Sequence, residues 1–134
     1  MSKIYHHPVQ IYYEDTDAGG IVYHASHIRF CERGRTEFLR DDGWTNSEIA
    51  NTLGVLFVVR HMDVNYLKPC YLDNMLNLKT SVIKVKNTSF IMKHDLYRAE
   101  ELVFTMDVVL ACITKSGNLV KIPEDIRNTL QAGI

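Results

Sequence analysis

The sequence lacks the features that define several classes of protein. No segment approaches the roughly 20 consecutive apolar residues of a membrane-spanning helix, so we expect no membrane insertion. Basic residues number 15 and acidic residues 16, for a net charge of -1, and no basic excess predicts a nucleic-acid partner. Residues 1–8 contain no apolar core of a signal peptide, which favours a cytoplasmic location.

Cysteine and proline are also scarce. The three cysteines (Cys31, Cys70 and Cys112) are odd in number and have no CxxC spacing, so we expect free thiols, with neither a disulfide framework nor a zinc site. There are three prolines and no linker-like or repeated tract. The chain of 134 residues is 46% hydrophobic, which predicts one compact domain over 1–134 with a core of its own.

The first third of the chain predicts a strand, a loop and a long helix. Residues 5–13 suit a strand, and residues 14–23 a loop broken by Gly19-Gly20. Residues 24–42 predict the main helix, which Gly43 ends. Its apolar stripe is Ile28, Cys31, Phe38 and Leu39, while Arg33 and Glu37 stand four apart and can pair on its surface. A short helix over 46–53 would be capped by Asn46 or Ser47.

Beyond residue 54, apolar residues recur at every second position, as is typical of β-strands. Strands are predicted over residues 55–67, 75–85, 89–99 and 102–113, joined by short breaks that favour antiparallel pairing. Three of them have a clear apolar face: Leu76, Leu78, Thr80, Val82; Phe90, Met92, His94, Leu96; and Leu102, Phe104, Met106, Val108, Leu110, Cys112. Pro123 can open a last helical turn that runs to about Gln131. The order predicts an α+β fold in which one antiparallel sheet curls around one long helix.

Asp15 and Asp17 are the first candidates for catalytic carboxylates. They stand between a strand and a glycine pair that leads into the long helix. A carboxylate there would lie near free N–H groups at a helix N-terminus, which favour anions and could stabilise an oxyanion. A carboxylate beside an oxyanion site suffices for acyl transfer. Aspartate is also a common turn former, so spacing alone leaves both roles of Asp17 open.

Other interpretations of the same segment are weaker. An EF-hand loop that starts at Asp15 would place Ser26 at its twelfth position, where a bidentate glutamate is required. A phosphoryl-transfer aspartate pair would follow an apolar strand, which Tyr12-Tyr13-Glu14 does not supply; the pair is kept as an alternative. His24 and His27 could share a metal ion if they are helical, but no third ligand has clear spacing, so no metal site is predicted.

Two clusters of charged or polar residues could either belong to a functional site or be ordinary surface residues. Glu32, Arg33, Arg35 and Glu37 could be catalytic, but a solvated or interface helix face is the simpler explanation. Lys86, Thr88 and Ser89 surround a predicted turn and could bind the phosphates or pantetheine arm of a ligand, or be ordinary surface.

The segment Gln10-Ile11-Tyr12-Tyr13-Glu14-Asp15-Thr16-Asp17-Ala18-Gly19-Gly20-Ile21-Val22-Tyr23-His24 resembles the active-site signature of the 4-hydroxybenzoyl-CoA thioesterase family. Residues 25–37 continue the match, and so does the run Phe57-Val58-Val59-Arg60. The resemblance covers nearly the whole chain and is nearest to the acyl-CoA thioesterases associated with the bacterial Tol-Pal envelope system. Ser26-His27 stands where relatives often have Asn-Tyr, a departure that bears on substrate preference more than on chemistry.

The resemblance implies a hotdog fold and hydrolysis of acyl-CoA, with a short-chain, aromatic or longer fatty acyl group. It implies that Asp17 is catalytic, that the backbone N–H of His24 polarises the carbonyl, and that the substrate contacts Gly20, Tyr23 and Val59. It further implies dimers joined edge to edge, often paired into tetramers, with sites between subunits. No bound cofactor is expected, and an acyl-carrier protein is a possible partner. The alternatives are a non-catalytic acyl-CoA or acyl-carrier-protein binder and, less closely matched, a dehydratase using His24 and Glu32.

Overall fold

The computed structural model describes residues 2–134 and contains one curved antiparallel sheet of five strands. The strands are β1 (Tyr5–Gln10), β2 (Val55–Tyr66), β3 (Met75–Val85), β4 (Ser89–Arg98) and β5 (Glu101–Thr114). The helices are α1 (His24–Asp41), α2 (Asn46–Glu48, followed by a π-helical turn Ile49–Leu53) and α3 (Glu124–Ala132). The order across the sheet is β1-β3-β4-β5-β2, so β1 and β2 form its two edges. This arrangement confirms the predicted α+β class.

Helix α1 packs closely on the concave face of the sheet. The closest approach is at Gly34, where an added Cβ would lie 2.6 Å from Leu78 Cδ2 and 2.7 Å from Thr80 Oγ1. Only glycine allows this distance between helix and sheet. Phe30, Cys31, Phe38 and Leu39 are buried on the same helix face. The predicted stripe included Ile28, which is only partly buried, and missed Phe30.

The apolar faces predicted for β3, β4 and β5 agree with the structure. All the residues assigned to these faces are buried except Leu102, which is partly buried near the start of β5. Antiparallel pairing places alternate residues of neighbouring strands on one face, and α1 covers that face. The period-two pattern therefore located the core of the sheet.

Several local expectations need correction. β1 ends at Gln10 rather than at residue 13, because the Asp15 carboxylate accepts the Tyr12 N–H at 2.9 Å and turns the chain into a short 3-10 helix. The cap of α2 is Thr45, whose hydroxyl accepts the Glu48 N–H at 3.1 Å. Glu37 pairs with Arg40 at 2.7 Å and not with Arg33.

A buried polar network connects the middle of α1 to the sheet. Arg35 Nη1 lies 3.3 Å from His94 Nε2, and Thr80 Oγ1 lies 3.2 Å from His94 Nδ1. His94 and Thr80 are fully buried, and burial, followed by the nearby Arg35 charge, lowers the pKa of His94 to about 3. His94 is therefore neutral at neutral pH, and Arg35 points inward instead of belonging to a solvated helix face.

The edge strand β2 exposes several apolar side chains beside the polar Arg60, His61 and Asp63. It pairs with β5 on one side only, and its exposed residues include Leu56, Val58, Val59 and Met62. A long apolar edge with unpaired backbone groups is prone to pair with another strand. Within residues 2–134, no helix is both long and apolar enough to cross a membrane.

Candidate functional site: a cleft at the N-terminus of the central helix

The loop between β1 and α1 is held by Asp15. This residue is buried, and its backbone carbonyl accepts the Tyr23 N–H at 2.9 Å and the Ser26 hydroxyl at 3.0 Å. Its carboxylate accepts the Tyr12 N–H. Asp15 is thus committed to structure, and it ties both ends of the loop to the start of α1.

Asp17 has the opposite environment. Its side chain is exposed, with Oδ1 accepting the Gly19 N–H at 2.9 Å, while Oδ2 makes no hydrogen bond within residues 2–134. The turn closes through Asp17 N–H to the Ile21 carbonyl at 2.9 Å and needs Gly20 at φ +83°. Asp17 therefore does form the turn, and its turn-forming hydrogen bond uses only one of the two carboxylate oxygens, which leaves the other free to react.

The first turn of α1 offers unused backbone donors. Tyr23 is the N-cap and makes no side-chain cap, and within the described chain the N–H groups of His24 and Ala25 have no partner. The first N–H groups of a helix have no intrahelical acceptor, and they carry the positive end of the helix dipole. They can therefore stabilise an anionic oxygen that develops at this helix end.

A cleft of about 360 Å³ joins Asp17 to this helix end. Its walls come from the loop, the first turn of α1 and the end of β2: Asp17, Ile21, Val22, His24, His27, Tyr66, Leu67, Lys68 and Pro69. His27 is buried and burial lowers its pKa, so its ring is neutral at neutral pH. Asp17 and His24, both predicted from the sequence, therefore line one cleft. Gly20 and Tyr23 belong to the same loop and helix cap but are not among the residues that line this cleft.

The other proposed substrate contacts lie at the far end of the sheet. Ser89 and Val58 both pair with Ala111, whereas Tyr66 pairs with Phe104. Phe104 and Ala111 are seven residues apart on β5, a distance of about 23 Å at 3.3 Å per residue. Within one chain, Val59 and the turn containing Lys86, Thr88 and Ser89 are therefore not brought to Asp17. Lys86 is exposed, but Ser89 is buried at the start of β4.

A second cavity of about 280 Å³ lies at that far end. It is mostly apolar and is lined by the later half of α1 and by β2, β4 and β5, including Arg35, Val59 and Phe90. The Phe57 and Phe90 rings meet edge to face at 5.1 Å beside it. Val59 thus belongs to a cavity that could hold an apolar group.

The metal alternative gains no support. No group of three or more His, Cys, Asp or Glu side chains in the described chain could hold a metal ion. Cys31, Cys70 and Cys112 are all buried free thiols.

Sequence reasoning missed Tyr66 and reduced His27 to a possible metal ligand. Tyr66 belongs to β2 and reaches the cleft only because that strand ends beside the start of α1. No local motif signals this contact, since 42 residues separate Tyr66 from His24.

Comparison with known proteins places the chain in a family. It matches the thioesterase-like superfamily over residues 12–130. It is 40% identical over 113 residues to the acyl-CoA thioester hydrolase YbgC of Shigella flexneri, a match that covers 84% of each chain. It is 38% identical to the acyl-CoA thioesterase YbgC of Haemophilus influenzae, over 79% of this chain and 78% of that one.

A solved structure agrees with this assignment. The probable thioesterase from Bartonella henselae superposes with a TM-score of 0.87 at 35% identity, over 90% of this chain and 100% of that one. The fold, the match to the superfamily and the sequence similarity together show that the chain belongs to the thioesterase-like superfamily and is a thioester-hydrolysing enzyme with the hotdog fold.

Proposed function

We propose that the chain hydrolyses acyl-CoA thioesters and that Asp17 is its catalytic carboxylate. The observation that carries the assignment is that Asp17, whose Oδ2 makes no hydrogen bond within residues 2–134, lines the same cleft as His24, where the unpaired N–H groups of α1 begin. The names of relatives at 38–40% identity support the acyl-CoA substrate class.

The reaction needs two groups. The thioester carbonyl would accept the His24 N–H, which stabilises the negative charge of the tetrahedral intermediate. Asp17 would then either attack the carbonyl carbon to form a mixed anhydride, or take a proton from an attacking water. The departing CoA thiol has a pKa of about 8.5 by analogy with cysteine, so it leaves without strong acid assistance. This chemistry calls for no metal and no bound cofactor.

We further propose that the working site is formed between two chains. Antiparallel pairing of β2 with a second β2 about a two-fold axis would place the Val55 end of one strand beside the Tyr66 end of the other. The far cavity and the Lys86–Ser89 turn of one chain would then approach the Asp17 cleft of its partner. Such pairing also covers the apolar residues of the β2 edge, and two dimers could pair into a tetramer.

The proposal extends to location and partners. Three buried free thiols suit a reducing compartment such as the cytoplasm. Acyl-carrier-protein thioesters share the pantetheine arm of CoA, so they are a second substrate source. An association with the Tol-Pal system rests on the sequence resemblance.

The deciding variant is Asp17→Asn. Asparagine keeps the oxygen that accepts the Gly19 N–H, so the turn should persist, while the nucleophile or base is lost. We expect kcat to fall by about 10²–10⁴-fold, with fold and oligomeric state unchanged. Thiol release is measured over short-chain, aromatic and long-chain acyl-CoAs, with Glu14→Gln as a matched control that removes a neighbouring exposed carboxylate.

Two results would refute the proposal. Near-normal turnover by Asp17→Asn would remove Asp17 from the mechanism. Measurable binding without thiol release by the wild type, for every chain length, would favour a non-catalytic binder. Single-turnover mass spectrometry then separates the two routes, because only nucleophilic attack acylates Asp17.

A further inference from the structure

The amide that would bind the oxyanion is held by side chains that the reaction does not use. The His24 N–H belongs to the peptide unit whose carbonyl is that of Tyr23. This carbonyl accepts the Ser26 N–H at 2.9 Å and lies 3.3 Å from His27 Nδ1. A carbonyl oxygen can only accept, so His27 contributes the tautomer with the proton on Nδ1.

The next peptide unit is held by Tyr66. Its hydroxyl donates to the His24 carbonyl at 2.6 Å, a short hydrogen bond between the end of β2 and the first turn of α1. Both peptide units that flank the His24 Cα therefore carry a hydrogen bond from a side chain.

The two side chains also support each other. The rings of His27 and Tyr66 meet edge to face with centroids 5.0 Å apart, and each packs on Phe104, at 4.9 Å and 5.1 Å. Phe104 is fully buried, so the pair rests on the fixed part of the sheet.

We propose that His27 and Tyr66 are positioning residues that hold the His24 N–H toward the Asp17 cleft. An oxyanion donor contributes most when it is fixed before the reaction begins, and the terminal turn of a helix otherwise frays. A hydrogen bond to the Tyr23 carbonyl also polarises the same peptide unit and strengthens its N–H as a donor. This inference rests on the proposed function and adds residues to it.

The test uses Tyr66→Phe and His27→Phe, which keep an aromatic ring and remove the hydrogen-bonding atoms. Each should lower kcat on a reactive acyl-CoA by about tenfold, a smaller loss than removal of an oxyanion donor itself, and leave KM within about twofold. The double variant should lose less than the product of the two single losses, because both residues act on one helix turn.

Tyr71→Phe is the matched control. Tyr71 is a neighbouring exposed tyrosine whose hydroxyl makes no hydrogen bond within residues 2–134, and its variant should keep wild-type kcat. Thermal unfolding and oligomeric state are measured for every variant. If His27→Phe does not fold, Tyr66→Phe decides alone.

An unchanged kcat in Tyr66→Phe would overturn the inference, and so would a loss that appears only in KM. If Asp17→Asn is inactive while Tyr66→Phe is fully active, the positioning role fails and the proposed function stands. If Asp17→Asn stays active, the proposed function itself fails.

Discussion

His94 shows how a single residue in the core can set the pH dependence of stability. It is fully buried under α1 and contacts Arg35 and Thr80. Burial and the Arg35 charge depress its pKa to about 3, whereas an exposed histidine has a pKa of about 6.5. Between these pH values the unfolded chain binds the proton and the folded chain does not, so stability falls as the pH falls below about 6.5.

We expect His94→Gln to reduce this acid sensitivity, because glutamine can still hydrogen-bond and does not titrate. Between pH 7 and pH 5, the free energy of unfolding should fall by about 2 kcal/mol more in the wild type than in the variant. His27 and His7 contribute in the same direction, since burial lowers their pKa values too, so some slope remains. Urea unfolding at several pH values measures how the free energy of unfolding depends on pH. The control is His61→Gln, at an exposed histidine. An equal pH dependence in the wild type and in His94→Gln would contradict the expectation.

Asp15 and Asp17 show what a residue pattern can and cannot separate. Both are aspartates of one loop, and the sequence places both near a helix N-terminus. Only the fold separates them, because Asp15 is buried with its carboxylate bonded to the chain and Asp17 is exposed with one oxygen free.

At the scale of elements, strand β2 contributes both to the cleft and to an exposed edge of the sheet. Its last residue, Tyr66, reaches the cleft, while its outer edge exposes apolar side chains such as Val58 (37% exposed) and Met62 (39% exposed). Isolated soluble sheets usually protect such an edge with charges, prolines or short strands. We infer that a second chain protects it here.

The double variant Val58→Arg, Met62→Arg should dissociate the oligomer and remove most thioesterase activity, because like charges would face each other across the two-fold axis. Size-exclusion chromatography with light scattering measures the mass, and thiol release measures the activity. The control is Ile83→Arg, at an exposed apolar residue of β3 away from this edge. An oligomer that survives the double charge would place the interface elsewhere.

At the scale of the whole molecule, the candidate substrate groups are split between two ends. Asp17 and the helix donors lie at one end, and Val59, Lys86 and Thr88 lie at the other. On the proposed arrangement, one chain presents two half-sites, and antiparallel association would join unlike halves.

Mixed oligomers test this arrangement. Asp17→Asn disables one half-site, and Lys86→Glu with Thr88→Glu should disable the other by repelling the phosphates of CoA. The two variant proteins are unfolded, mixed in equal amounts and refolded, so that random pairing makes half of the dimers hybrids. Each hybrid dimer has one intact site, in which Asp17 comes from one chain and Lys86 and Thr88 come from the other. We expect recovery of about a quarter of wild-type activity at low substrate concentration. Activity that never exceeds the mean of the two parents would show that each site lies within one chain.

The sequence by itself determined the elements, the sheet faces and the loop that carries Asp17. These follow from local causes: alternating apolar residues, the glycine that ends α1 and the signature of residues 10–24. The tertiary structure alone decided which aspartate is free, that Tyr66 and His27 reach the His24 turn, and that Lys86 and Val59 lie far from Asp17. The Tyr66 contact and the distance from Asp17 to Lys86 involve residues tens of positions apart, and no local pattern encodes the path of the chain between them. The hydrogen bonds of Asp15, Asp17 and His27 are local, but they depend on the loop and helix-cap geometry that only the folded chain defines.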